Sequence, residues 1–358
     1  MKLKILIIIL ATLFSSNAFS QSSIQLFGVL DAGITYTSNQ NGQKNFFYQS
    51  GTMSPTVFGL RGAEDLGGGL KAVFKLVDNF NDGTGAMVNG VLFGKEAWMG
   101  LRSDDYGSVT MGNQFDYMFK YMTIDRWGPM LKYNPVYYTQ QGPFSKLGLP
   151  GGAMDFDRTA GSITTNNAVA YESPNLSGFG FGAMYAFGGV AGSMSQNSTQ
   201  SFGLRYAGGF GALDAAYTYT KFPGINNGNN GIRNWGLGGR FFVYDAMVDM
   251  MFTNTENTFN GGRVNVYEIG GLYTFFTSNH ITAQYQFDDG NSVLNNNKAH
   301  QLNLTYAHDL SVNTLVYVTV ARQWASGDGQ ALATIIGSGA SSSGGTQTLF
   351  RIGMTIRF

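Results

Sequence analysis

The chain has no cysteine, three histidines and seven prolines among its 358 residues, and charged side chains make up only 12% of it. Without cysteine there is neither a disulfide framework nor a thiolate metal site. No spacing of His, Asp and Glu reads as a metal-ligand cluster, so no metal or other cofactor is expected. Long apolar runs are missing as well. Past residue 20 no segment approaches the roughly 18 consecutive apolar residues that a transmembrane helix needs. An excess of basic charge is absent too, with 22 basic against 22 acidic groups, which argues against a nucleic-acid partner. What the chain has in quantity is glycine, 50 residues, and aromatics, 14%. That mixture is poor for helices and suits strands, tight turns and interfacial aromatic girdles.

The N-terminus reads as a signal peptide over residues 1–20. Lys2 and Lys4 precede the apolar run Ile5 to Phe14, and the small residues Ala18 and Ser20 flank the expected cut. Removing Lys2 and Lys4 leaves 20 basic against 22 acidic groups, a net charge of −2, on a mature chain from Gln21. No linker divides residues 21–358, so they are expected to form one domain.

The C-terminal stretch sets the class of that domain. Phe350, Ile352, Met354, Ile356 and Phe358 alternate with Arg351, Gly353, Thr355 and Arg357. One face of such a strand is made for hydrocarbon and the other for water. The wall of an outer-membrane barrel needs this pattern, because it separates lipid from an aqueous lumen. The same alternation runs through Ile24 to Thr37, with Ile24, Leu26, Leu30, Ile34 and Tyr36 opposed to Gln25, Asp31 and Thr35. After a polar connection from Ser38 to Ser54, strands are expected around residues 58–61 and 70–76. Further strands follow at about 92–102, 108–115, 166–174, 178–188, 200–208, 210–221, 232–243, 245–254, 264–276, 279–288, 298–308, 313–324 and 346–358. Sixteen antiparallel strands make an all-β transmembrane barrel, and short turns alternate with long loops, as the two rims of such a barrel require.

One connection stands apart, about fifty residues between Gln114 and Asn166. A loop that long is usually functional. It carries the acids Asp116, Asp125, Asp155 and Asp157. Its aromatics include Phe115, Tyr117, Phe119, Tyr121, Trp127, Tyr133, Tyr137, Tyr138 and Phe144. It is expected to fold into the lumen and narrow it. By face parity Arg61, Lys71, Lys75, Arg205, Arg240 and Arg351 point inward, with Asp31, Asp214 and Asp249 on the same side. A basic wall opposed to loop carboxylates would produce a transverse field that biases permeation; ordinary solvated lumen residues are the plainer alternative. Trp98, Trp235 and Trp324, with several tyrosines near strand ends, read as girdles at the two membrane interfaces.

These segments resemble the general porins of Gram-negative bacteria, of the beta-proteobacterial and neisserial type. The carrying residues are Leu26-Phe-Gly-Val-Leu-Asp-Ala-Gly33, Gly59-Leu-Arg-Gly-Ala-Glu-Asp-Leu-Gly-Gly-Gly-Leu-Lys-Ala-Val-Phe74, Leu92-Phe-Gly94, Val109-Thr-Met-Gly112, Asn167-Ala-Val-Ala-Tyr-Glu-Ser-Pro174 and the terminal strand. The resemblance implies a homotrimeric sixteen-stranded barrel with its third loop folded inward. It also implies a passive pore for small hydrophilic solutes and ions in the outer membrane, surrounded by lipid. Phe358 then matches the assembly signal read by the barrel-assembly machinery. Val57, Lys95-Glu96 and Asn113 stand where relatives carry basic or Arg-Gln residues, which puts a strong anion preference in doubt.

Three other readings compete. A substrate-selective channel would recognise one solute class through the long third loop. An enzymatic barrel would need a nucleophile or acid–base group beside an orienting partner, and His280, His300 and His308 each read as isolated structural residues, so no catalysis is expected. An adhesin would place function in loops such as Ala325 to Gly345, which reads more simply as a flexible segment. Gly178-Phe-Gly-Phe-Gly182 is glycine-rich, yet strand residues and no helix follow it, so it is not a nucleotide motif.

Overall fold

A computed structural model describes residues 23–88, 90–124, 133 and 141–358. The expected signal peptide, Asp125, Trp127, Tyr137 and Tyr138 lie outside the described residues. Strands in chain order are β1 (Ser23–Gln40), β2 (Gln43–Ser50), β3 (Val57–Gly67), β4 (Leu70–Asn79), β5 (Glu96–Ser103), β6 (Gly107–Gln114), β7 (Thr165–Glu172), β8 (Phe179–Ala186), β9 (Thr199–Gly208), β10 (Gly211–Lys221), β11 (Gly231–Val243), β12 (Ala246–Asn257), β13 (Arg263–Phe275), β14 (Asn279–Gly290), β15 (Lys298–Asp309), β16 (Thr314–Ser326) and β17 (Thr346–Arg357). From β3 onward each strand pairs antiparallel with the next, and β17 pairs with β1 from Val29↔Arg357 to Thr37↔Leu349, so the sheet closes on itself. Closure leaves no edge, which is what a sheet in hydrocarbon requires.

Seventeen strands form sixteen staves. β1 pairs with β3 through Ser23 to Val29 and with β2 through Ala32 to Gln40, so β2 and β3 are two halves of one stave, interrupted at residues 51–56. The segment from Ser38 to Ser54, expected as a polar connection, therefore contains a strand. Its Gln, Lys and Asn flank the run Phe46-Phe47-Tyr48, in which Phe47 breaks the apolar–polar alternation and hides the pairing of Phe46 and Tyr48 with Tyr36 and Ile34. β5 begins at Glu96, four residues later than the alternation near Leu92 suggests.

The two faces separate as the alternation demands. Ile34, Leu204, Leu237, Met250, Ile269 and Ile352 are 47% to 56% exposed on the outer face. In water such a belt would drive association, and it suits a hydrocarbon surrounding. Asp31, Thr35, Thr253, Gln286, Gln323 and Arg351, at 0% exposure, fall on the inner face. Trp235 and Trp324 lie on the outer face, as girdle residues should. Trp98 does not: it shares a face with Lys75 and donates its indole N–H to Glu96 Oε1 at 3.0 Å. A strand-end position fits a girdle and a lumen residue equally well, and only parity with Met99 and Leu101 separates them.

The seam where β17 meets β1 is tied by a buried network. Arg351 donates to Asp31 Oδ1 at 3.0 Å, to the Tyr317 hydroxyl at 2.7 Å, to Thr35 Oγ1 at 3.1 Å and to the Gln49 carbonyl at 3.0 Å. Asp31 also accepts from Thr52 N at 2.9 Å and Thr355 Oγ1 at 2.6 Å. One carboxylate thus fixes β1, the interrupted stave, β16 and β17. Phe358 completes the closure: it exchanges backbone hydrogen bonds of 3.0 and 3.1 Å with Gly28, and its ring occupies the space a Gly28 side chain would need. Removing one partner of a buried pair strands the other charge. Asp31→Ala should therefore cost about 3–5 kcal/mol, seen as a lower urea midpoint with an unchanged denaturant slope.

Candidate functional site

Among the described residues two connections leave the wall and pack back on its polar face. The segment Ala325 to Gly345 is docked rather than flexible: Thr334 N donates to Gln323 Oε1 at 2.7 Å and Ile335 N to Gln347 Oε1 at 2.8 Å, while Ile335 packs with Ala321 and Leu349. The other is the connection between β6 and β7. Asp116 starts a helical turn, Tyr117–Phe119, by accepting from Met118 N at 2.9 Å and Phe119 N at 3.3 Å. A short side chain with a carboxylate is a natural cap there. The same carboxylate accepts from Thr218 Oγ1 at 3.1 Å and ion-pairs with Arg158 from the far part of the connection. Tyr117 N donates to Ser201 Oγ at 2.9 Å, and its hydroxyl donates to the Tyr171 carbonyl at 2.6 Å.

Small residues make the seat. Tyr117 and Tyr121 pack with Ala168, Ala170, Met184 and Ala186 on β7 and β8. A side chain at Gly182 would meet the Tyr117 ring at 2.0 Å, and one at Gly203 would meet the Tyr121 ring at 2.7 Å. The glycine-rich run Gly178–Gly182 thereby has its explanation: Phe179 and Phe181 are exposed on the outer face while Gly182 makes room for Tyr117. The far part of the connection docks on β11–β15. Phe144, Leu147, Leu149 and Phe156 pack with Ile232, Val264, Val266 and Ala299. The carbonyls of Phe156, Leu147 and Pro143 accept from Asn234 at 2.8 Å, Asn257 at 2.8 Å and Asn297 at 2.6 Å.

The charged residues named from sequence have distinct fates. Arg205 pairs with Asp214 at 2.5 Å, its guanidinium lies 4.4 Å from the Tyr121 ring centroid, and it donates to the Tyr121 carbonyl at 3.0 Å. It faces inward and holds the connection. Arg351, also inward, is consumed by the seam. Arg240 is opposite Asp249 in register and is 7% exposed. Arg61 donates to Gln25 Oε1 at 2.9 Å near the end of β3, and Lys71 is exposed on the same side. Lys75, partly exposed, pairs with Glu96.

Of the connection's acids, Asp116, Asp155 and Asp157 are all 0% exposed. Asp155 accepts from Ala160 N at 2.8 Å and from Ser162 N and Oγ at 2.9 and 2.7 Å. Asp157 accepts from Thr253 Oγ1 at 2.8 Å and Thr159 Oγ1 at 2.8 Å. These carboxylates fasten the connection to itself and to the wall. Three residues that parity and composition do not single out matter here. Lys95 donates to the Gly161 carbonyl at 2.5 Å with its ammonium 5.2 Å from the Phe115 ring. Lys120 is half-buried, its ammonium 5.1 Å from the Tyr117 ring. Glu172 lies on the inner face of β7, within electrostatic reach of Lys120. Their spacing carries no signal, since each depends on the folded connection for its neighbours.

His280 is not isolated. Its ring nitrogens lie 3.0 Å from Thr274 Oγ1 and 3.0 Å from Asp309 Oδ2, and the Tyr133 ring stacks on it at 3.9 Å. Tyr133 also donates its hydroxyl to Asp309 at 3.0 Å. This hydroxyl–imidazole–carboxylate chain resembles a hydrolytic triad in connectivity. Tyr133 covers the imidazole face, and Thr274 and His280 are partners in one hairpin. Among the described residues no group of three His, Asp or Glu side chains is arranged to hold a metal ion.

Comparison with known proteins gives one answer. A family model described as Gram-negative porin matches residues 7–328. An outer membrane porin protein of Bordetella pertussis is 26% identical, covering 85% of this chain and 89% of that protein. Outer membrane porin protein 32 of Delftia acidovorans is 30% identical, covering 88% of each. Among solved structures, an anion-selective porin from Comamonas acidovorans superposes with a TM-score of 0.75 at 23% identity, over 94% of this chain and all of that one. The trimer form of OmpT of Vibrio cholerae superposes with a TM-score of 0.64 at 15% identity, over 94% and 99%.

Two outcomes are expected from the docked connection. Gly182→Val forces the Tyr117 ring off its seat and should raise open-channel noise in planar bilayers while leaving the barrel folded. Burial, with Asp155 nearby, pushes the Asp157 carboxyl up to about 7. An acid with a higher value docked than free gains a proton on docking, so docking strengthens as pH falls through about 7 and weakens above it. Protease cleavage within the connection should accordingly be faster at about pH 9 than at about pH 6, and Asp157→Asn should flatten that difference.

Proposed function

This chain belongs to the Gram-negative porin family and forms a water-filled outer-membrane channel for passive diffusion of small hydrophilic solutes, and we propose that the β6–β7 connection sets its constriction and that Lys75, Glu96, Lys120 and Glu172 set its ion preference. The observation that carries this reading is the distribution of unburied charge. Arg205 and Arg351 are buried in pairs, and the three described acids of the connection are used up in anchoring it. Lys75, Lys120 and Glu172 remain partly exposed on the inner side, with the buried Glu96 paired to Lys75, while the exposed Arg61 and Lys71 lie nearer the β3–β4 turn. Charged rings or clusters at a narrow section bias permeation by their field. Two lysines against two glutamates, with the buried Lys95 ammonium behind them, support a weak preference for anions. The Comamonas porin is anion-selective, which agrees in sign.

The remaining assignments belong to the same proposal. The protein assembles as a homotrimer, as the OmpT structure in trimer form does. Residues 1–20 direct export, and Phe358 serves the barrel-assembly machinery before it closes on Gly28. The chain works as a channel without catalysis or cofactor, and the Tyr133 cap over His280 supports that. The described loop aromatics are spent on packing rather than on solute recognition, because Phe115, Tyr117, Phe119, Tyr121, Tyr133 and Phe144 are all buried.

The test is reversal potential in a salt gradient. Lys120→Glu and Lys75→Glu should each move it toward cation preference, with the conductance of a single opening changed less than about twofold. Potentials that stay where they were in both variants would remove this cluster from the constriction. Conductance steps in groups of three would support the trimer.

A further inference from the structure

Among the described residues, the inner wall carries a group of buried oxygens that neither the charge cluster nor the docked connection uses. Asp249 on β12 is 0% exposed, Glu268 on β13 is 5% exposed, and all four of their carboxylate oxygens lack a hydrogen-bond partner. Gln286 on β14, 0% exposed, donates its amide to Asp288 at 2.7 Å, and its Oε1 also lacks a partner. The register brings them together. Glu268 pairs with Gln286 on one side and with Met251 on the other, and Asp249 lies two residues from Met251 on the same face. Opposite Asp249 on β13 is Gly270, which contributes no side chain between the two carboxylates. Three neighbouring inner-face positions thus present five acceptor oxygens without a hydrogen bond of good geometry, with the Gln284 amide beside Glu268.

Charge makes the arrangement costly as it stands. Arg240 is the register partner of Asp249 and offsets one carboxylate. Asp288, held by Gln286, adds a further negative charge nearby, and Thr253, two residues beyond Met251, holds Asp157 of the connection. Uncompensated buried charge is strongly unfavourable. An all-oxygen set of two carboxylates and an amide carbonyl, with solvent completing the shell, is what a hard divalent cation takes, and flexible, partly bidentate coordination suits Ca2+ better than Mg2+.

We propose that Asp249, Glu268 and Gln286 bind one calcium ion in the wall beneath the docked β6–β7 connection. The ion neutralises the surface on which Asp157 is seated and ties β12, β13 and β14 together on their inner face.

The experiment uses the full mature chain refolded in lipopolysaccharide-free detergent, with calcium chloride titrated at constant ionic strength. Calorimetry should give one site per chain, and the unfolding temperature read from tryptophan fluorescence should rise by several degrees. Glu268→Gln and Asp249→Asn should lose both signals. Glu268→Gln should also unfold at a higher temperature than the parent in the absence of calcium, because it relieves the repulsion. Asp289→Asn, an exposed acid on the same strand as Gln286, should keep the calcium response. Gln286→Leu, which leaves both carboxylates, should weaken binding about tenfold or more and keeps the test decisive where a charge variant does not fold. A parent protein indifferent to calcium overturns the site, including the case in which its stability follows pH alone because the two carboxyls share a proton. Persistence of the calcium response in Glu268→Gln overturns it equally.

Discussion

The pair formed by Asp31 and Arg351 is the interaction on which the barrel turns. Closing a sheet in lipid requires the last strand to find the first, because an open edge would leave a row of backbone N–H and C=O groups in hydrocarbon. Here that meeting is fixed from inside by one fully buried carboxylate and one fully buried guanidinium, with Tyr317, Thr35, Thr355 and the Gln49 carbonyl satisfying the remaining lone pairs and protons. Buried ion pairs are weak contributors when poorly solvated and strong constraints when every group is satisfied. Asp31 also receives the backbone where β2 gives way to β3, so closure and the interruption of that stave share one anchor.

The same economy of charge governs the wall. A channel that conducts ions would be expected to display its charges, yet most of those aligned inward are spent on architecture. Arg205 clamps Tyr121, Arg158 clamps Asp116, Lys95 clamps Gly161, and Asp155 and Asp157 organise the residues around them. The charges left exposed include Arg61 and Lys71 toward the β3–β4 turn and a short mixed cluster of Lys75, Lys120 and Glu172. Its net field is small, in line with a pore that discriminates weakly. Docking is equally a matter of space: glycine and alanine on β7–β9 leave hollows, and two tyrosines fill them, Tyr117 with its hydroxyl hydrogen-bonded and Tyr121 with a guanidinium over its ring.

Much of the fold is legible because a barrel wall imposes a period of two along each strand for the full width of the bilayer. Thirteen residues at the C-terminus carry the class, and the terminal Phe358 and Ile352 do face outward while Arg351 faces in. Where the constraint lapses, legibility lapses with it. β2 carries the unalternating run Phe46-Phe47-Tyr48 among polar residues and reads as a connection. Trp98 near a strand end could belong to either face, and His280 looks solitary in sequence because its partners, Tyr133 and Asp309, come from distant parts of the chain.

The sequence by itself determined the periodic elements, the outward and inward sets of side chains, the place of the long connection and the family. Each of these follows from local alternation or from a contiguous motif. Only the tertiary structure decided which inward charges are free and which are bound. Parity says that Arg351, Arg205 and Lys75 share a face, but whether a charge is buried depends on what packs over it, and for these residues that is a strand or a connection far away in the chain. The fate of Asp157 and the convergence of Asp249, Glu268 and Gln286 belong to that second class, because register between strands, unlike alternation within one, is not written in any single segment.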